Sequence, residues 1–155
     1  MTTITELLVP EAVLSGVSVA SKKALFAALG AAAAEAYGLD ARAVSETLAE
    51  REKLGSTGFG AGIAIPHGKL DAIRRVCGVF VRLDKPVDFG AVDELPVDLV
   101  FMLLSPVGAG AEHLKALACV SRCLRDKAIA AKLRGAGSRD ALYALLAGVE
   151  ARDAA

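Results

Sequence analysis

The chain is predicted to fold as an α/β three-layer sandwich, with a central β-sheet covered on both faces by helices. Three observations point there. Two segments, Val76 to Leu83 and Val97 to Leu104, carry apolar residues on both parities (Val79, Phe80, Val81; Leu99, Val100, Phe101, Met102), as strands buried on both faces do. Helical periodicity occupies the chain before and after them, so helices are available for both faces. At 155 residues the length suits one domain over residues 1–155 with a real core.

Each element has its own justification. Ser21 can cap a helix to about Ala36, whose stripe is Leu25, Phe26, Leu29, Ala32, Ala33 and Ala36, with Gly30 weakening it without ending it. Gly38 and Asp40 supply a stop and a new cap, and a second helix should run from about Ala41 to Lys53 before Gly55 ends it. Its inward stripe is Val44, Thr47 and Leu48, and one turn further stands Arg51, a charge where an apolar side chain is expected. A short strand ends at Ile63-Ala64-Ile65. Between the two longer strands DKPVDFGAVDELP is rich in turn formers, with Pro86 and Pro96 at strand edges. A helix from about Ala111 to Arg125 shows Leu114, Leu117, Ala118, Ser121 and Leu124 at helical spacing. Helices over Lys127 to Arg134 and Asp140 to Ala147 follow, the second capped by Ser138 or Asp140, and the polar tail from Glu150 is expected to fray.

Charge and composition exclude several classes. Basic and acidic residues balance at 18 each, which leaves no excess for a phosphate backbone and argues against nucleic acid as a partner. The start, MTTITELLVPEAV, has no basic region and carries Glu6 and Glu11, unlike a secretory signal. The longest uncharged apolar run, Ala24 to Ala34, is shorter than the ~20 residues a membrane span needs, so a cytoplasmic protein without membrane insertion is expected. Cys77, Cys119 and Cys123 form no CxxC and read as small hydrophobes rather than a disulfide framework or a zinc knuckle.

The chemistry concentrates in GSTGFGAGIAIPHGKL, residues 55–70, where Gly55, Gly58, Gly60, Gly62 and Gly68 are five of the chain's 15 glycines. Neither familiar phosphate loop fits. Lys69 is followed by Leu70 where a Walker loop needs a hydroxyl, and GFGAG has the wrong spacing for a dinucleotide fingerprint. A glycine-rich hairpin that only connects helix to strand is one reading. The other is a ligand loop, since glycines let backbone N–H groups approach an anion closely. His67 favours the second: following Ile65-Pro66, it projects from a rigid strand end, where neutral nitrogen beside fixed donors suits accepting a phosphoryl group. His113, in the first turn of a helix at the margin of its apolar face, is either a packing histidine or part of an anion site. Arg51 completes a possible set, or else serves its own helix C-terminus.

These residues resemble a known family. REKLGSTGFG followed by GIAIPHGKL, then PVDLVFMLLSP and EHLKAL, is similar over nearly the whole chain to the mannitol/fructose-type IIA domain of the bacterial phosphoenolpyruvate-dependent phosphotransferase system, and most of all to its stand-alone nitrogen-regulatory branch. The resemblance implies a mixed sheet sandwiched by helices. It implies that His67 takes a phosphoryl group at a ring nitrogen from the phosphohistidine of an HPr-like carrier, with His113 as second active-site histidine and Arg51 near the phosphate. Gly55, Ser56, Thr57 and Gly58 would line the phosphate cleft, and no metal or nucleotide cofactor is needed. Ala61 stands where some relatives carry asparagine. An apolar rim including Phe59 and Leu70 is expected to dock the carrier. Phosphate would then either switch the protein's contacts with regulated targets or pass to a sugar-specific IIB component; the nitrogen-regulatory likeness favours the regulator.

Overall fold

A computed structural model describes residues 2–154, with side chains through residue 148. In chain order the elements are α1 (Ile4–Leu7), a 3-10 turn (Pro10–Ala12), β1 (Val13–Val17), α2 (Lys22–Tyr37), α3 (Ala41–Glu52), β2 (Gly58–Gly60), β3 (Ile63–Ala64), β4 (His67–Leu70), β5 (Cys77–Val87), β6 (Val97–Pro106), α4 (Gly110–Arg125), α5 (Lys127–Gly135) and α6 (Arg139–Ala154). The six strands form one mixed sheet in the order β1-β5-β6-β3-β2, and β4 continues alongside β6 beyond β3. β5 and β6 are antiparallel at its centre, while β1 on β5, and both β3 and β4 on β6, are parallel. The mixed α/β architecture expected from the sequence is the observed one.

The centre of the sheet is the core. Every residue of β6 from Leu99 to Ser105 is buried, and Phe80 and Phe101, directly paired in register, meet edge to face with centroids 6.1 Å apart. Neighbouring residues of β4 reveal which helices cover which face. His67 turns its ring toward His113 of α4, whereas the next residue, Gly68, lies against Thr47 of α3. Consecutive residues of a strand point oppositely, so α3 and α4 cover opposite faces of the sheet at this strand. Gly30 is explained here too: a Cβ would collide with the Ala41 carbonyl, so glycine lets α2 and α3 meet closely.

Caps follow local chemistry. Ser21 Oγ accepts from the Ala24 amide at 3.1 Å, Asp40 accepts from the amides of Arg42 and Ala43, and Gly38 closes α2 at φ +69°. Ser138 caps α6, accepting from the Ala141 amide at 3.1 Å. That helix runs to Ala154, past the expected end at Ala147 and through the tail expected to fray from Glu150. The sequence beyond Gly148, VEARDA, contains good helix formers and no breaker.

Other differences have physical causes. β1, β2 and the short α1 were not legible as elements, since VLSGV and GFG are short and glycine-bearing. The short strand expected to end at Ile63-Ala64-Ile65 is β3, which stops at Ala64, and a further strand not expected from the sequence, β4, opens at His67 after Pro66, which has no N–H to give the ladder. The Pro66 carbonyl keeps the two in line by accepting from the Leu103 amide at 2.9 Å. In α4 the inward face is His113, Ala116, Val120, Cys123 and Leu124, while Leu114, expected inside, is 67% exposed. The helix is turned so that His113 reaches the sheet. The β2–β3 turn places Ala61 at φ +58° and Gly62 at φ +80°, the signs of a two-residue hairpin turn. Alanine tolerates this conformation poorly, and its peptide groups are gripped from outside: Asp93 accepts from its amide at 2.9 Å and Arg134 donates to its carbonyl at 2.7 Å.

Candidate functional site

The two histidines of the chain, far apart in sequence, meet with ring centroids 5.4 Å apart. β6 is the scaffold for both. His67 pairs with Leu103 in register, and two residues on, Ser105 is bonded to His113 Nδ1 at 2.5 Å. Ser105 is fully buried, the one hydroxyl in an otherwise apolar run of β6. The hydroxyl therefore explains why α4 turns His113 inward rather than leaving it at the margin.

His67 is oriented by its own backbone. Its Nδ1 lies 2.8 Å from the Ile65 carbonyl oxygen, which can only accept, so Nδ1 carries the proton and the neutral ring has its lone pair at Nε2. Burial lowers the pKa of His67 below its ordinary 6.5; the Ile65 carbonyl and Glu52 partly oppose this and the Arg51 charge adds to it. His113 is lowered likewise, first by burial and then by the charges of His67 and Lys69. Both rings are thus held toward the neutral state in which imidazole is a nucleophile or a neutral hydrogen-bond partner.

These shifts set a sign for stability. A histidine whose folded pKa is depressed binds fewer protons folded than unfolded, so stability is intact above 6.5 and falls as pH drops below it. Urea unfolding at pH 7.5 and 5.5 should show the wild-type chain weakened at the lower pH, and His113→Gln should shrink that difference. An equal loss in the variant would assign the slope to other groups.

Arg51 sits half-buried in the last turn of α3, and its Nη1 donates to the Gly55 carbonyl at 2.9 Å. The bond braces the glycine loop, and the guanidinium charge still registers at His67. Arg51 shares its helix face with Thr47, one turn earlier, and Thr47 is seated on Gly68. The glycine after His67 therefore lets α3, which carries Arg51, pack closely on β4.

The loop 55–58 differs from an open nest of donors. The Gly55 amide closes on the Glu52 carbonyl, and the Gly58 amide donates to Ser56 Oγ at 3.1 Å. Thr57 is buried, and both its amide and its hydroxyl donate to the Glu52 carboxylate, the hydroxyl at 2.7 Å. In this arrangement the amides of Thr57 and Gly58 and the Thr57 hydroxyl are donated within the segment 52–58. Phe59 is half-buried, with the Arg125 guanidinium 5.4 Å from its ring centre, and Leu70 pairs with Pro106 at the end of β6. Two exposed apolar residues are neighbours of site residues in sequence: Leu54, 85% exposed, precedes the loop, and Leu114 follows His113.

Two residues escaped sequence reasoning, Ser105 and Glu52. For Ser105 the signal was a lone hydroxyl closing an apolar strand. For Glu52 it was an acid in the last turn of a helix, where the macrodipole disfavours negative charge and a compensating partner is required.

Comparison with known proteins places the chain in a family. Residues 6–149 match the family model for the phosphoenolpyruvate-dependent sugar phosphotransferase system, EIIA 2. The chain is 54% identical over 144 residues to a nitrogen regulatory protein of Bradyrhizobium diazoefficiens, covering 93% of this chain and 94% of that one. It is 46% identical over 132 residues to the nitrogen regulatory protein of Escherichia coli K12, covering 84% and 80%. The crystal structure of nitrogen regulatory protein IIA-Ntr from Neisseria meningitidis superposes with a TM-score of 0.85 at 39% identity, covering 92% of this chain and 98% of that one. Among the described residues no helix is long and apolar enough to cross a membrane. With its mixed sheet and nearly full-length match, the chain belongs to the EIIA type-2 family of the phosphotransferase system, and its similarity runs to the nitrogen regulatory proteins within it.

Proposed function

We propose that the protein is a phosphoryl-accepting IIA component, phosphorylated on His67 by an HPr-like carrier, and that its phosphorylation state governs which regulated proteins it binds. One observation carries the reading: the Ile65 carbonyl ties up Nδ1 of His67, leaving a neutral Nε2 beside a second imidazole and within the field of Arg51. Nε2 attacks the phosphorus of the carrier's phosphohistidine in line, the new N–P bond forming as the carrier's N–P bond breaks and its imidazole leaves. Arg51 meets the charge on the equatorial oxygens. With the Ser105 hydroxyl donating to its Nδ1, His113 keeps an Nε2–H to donate to the same group. Leu54, which precedes the glycine loop, and Leu114, which follows His113, are exposed and offer an incoming carrier apolar purchase. The similarity to nitrogen regulatory proteins favours a regulatory role over passing phosphate to a IIB component.

Incubation with phosphoenolpyruvate, enzyme I and a carrier tests this by intact mass. The expected result is one acid-labile phosphate that maps to His67, is lost in His67→Ala and forms more slowly in His113→Ala. No phosphate from a carrier shown to be charged would reject the reading.

A further inference from the structure

Glu52 is the last residue of α3, and its side chain is only 7% exposed. A buried carboxylate at a helix C-terminus is doubly unfavourable, so its partners must offset both burial and the dipole. They come from outside α3. Lys22, which opens α2, places Nζ 3.1 Å from Oε1, and Thr57 supplies its amide and its hydroxyl. Burial raises the carboxyl pKa, but the bonds from Thr57, Lys22 and Ser56 outweigh it and the net position is below the ordinary value.

The contacts close a circuit. Lys22 Nζ also stands 4.6 Å from the centre of the Phe89 ring, and Phe89 lies so near Gly58 that a Cβ there would come within 2.9 Å of it. The loop 55–58 is therefore held at Thr57 by Glu52 and at Gly58 by Phe89, with Lys22 joining the two. Arg51, beside Glu52 in sequence, donates to the carbonyl of Gly55 in that same loop. Whatever fixes the loop fixes the guanidinium.

We propose that Glu52 is the positioning residue of the site: gripped by Lys22 and Thr57, its carboxylate locks the loop on which Arg51 is braced and so keeps the guanidinium beside His67. The proposal rests on the phosphoryl-acceptor reading for its chemistry, and it accounts for a buried acid that the transfer itself does not use. Glutamine fits the space of Glu52 but presents an amide to Lys22 and Thr57, so the grip loosens without a cavity forming.

The test is rapid-quench phosphorylation of the full chain by a charged carrier, comparing wild type, Glu52→Gln, Arg51→Ala and the double variant. Glu52→Gln is expected to slow transfer at saturating carrier by between about ten- and a hundredfold, with the half-saturating carrier concentration changed by less than about twofold. In the Arg51→Ala background the same change should cost less than about twofold, because the residue it positions is gone. Thr57→Ser should stay near wild type and Thr57→Val should behave like Glu52→Gln, which keeps the comparison usable if the latter fails to fold. Guanidinium resonances of Arg51 should be distinct in the wild type and collapse toward those of free arginine in Glu52→Gln; this decides the positioning even if His67 takes no phosphate. Additive losses in the double variant, or unchanged Arg51 resonances, would overturn it.

Discussion

Arg51→Ala is expected to slow phosphorylation of His67 by about a hundred- to a thousandfold, the usual loss when one fixed donor to developing negative charge is removed. The expectation follows from placement. Arg51 stands on the face of α3 that carries Thr47 over β4, it is half-buried, and its charge is felt at the His67 ring. Arg51→Lys retains a charge but not the planar fork, and should fall between alanine and wild type. The same side chain also donates to the Gly55 carbonyl, so alanine should cost about 1 kcal/mol of stability as well. Rapid-quench kinetics and urea unfolding on one preparation separate the two effects. A rate within about fivefold of wild type would reduce Arg51 to a helix-terminal brace.

Gly68→Ala is expected to destabilise the fold by about 2 to 3 kcal/mol, a typical cost of overpacking a rigid contact. An added Cβ would run into Cγ2 of Thr47 and come within 3.7 Å of the Thr47 carbonyl oxygen. The strand cannot retreat, because His67 through Leu70 are paired residue by residue with Leu103 through Pro106. The strain must therefore be relieved at Thr47, by rotation of its side chain or displacement of α3, and to the extent that α3 moves Arg51 moves with it and transfer to His67 should fall. Thr47→Ala removes the colliding methyl and should restore most of the lost stability to the double variant. A double variant no more stable than Gly68→Ala alone would place the cost elsewhere.

Much of this was legible in the chain, and the illegible parts share causes. The central strands declare themselves because both faces are buried, and the helix ends because Ser21, Gly38 and Asp40 have few other uses in that order. Arg51 was conspicuous as a charge on an apolar stripe. The two-strand arrangement around Pro66 was not legible, since it depends on which carbonyl finds the Leu103 amide, a partner more than thirty residues away. The rotation of α4 was hidden for a similar reason: apolar periodicity favoured Leu114 inside, and one buried hydroxyl, Ser105, outweighed it by giving His113 a partner. The bonds from Thr57 to Glu52 were hidden too, because the sequence does not show that the carboxylate folds back onto the loop.

The proposed acceptor is one atom, Nε2 of His67, and 15N NMR of the phosphorylated protein observes it. With ring nitrogens labelled, phosphorylation by a charged carrier should produce the shifts and phosphorus coupling of an Nε2-phosphoimidazole on His67, with Nδ1 still protonated and bonded to the Ile65 carbonyl. Phosphorus on Nδ1, or on His113, would contradict Nε2 of His67 as the acceptor.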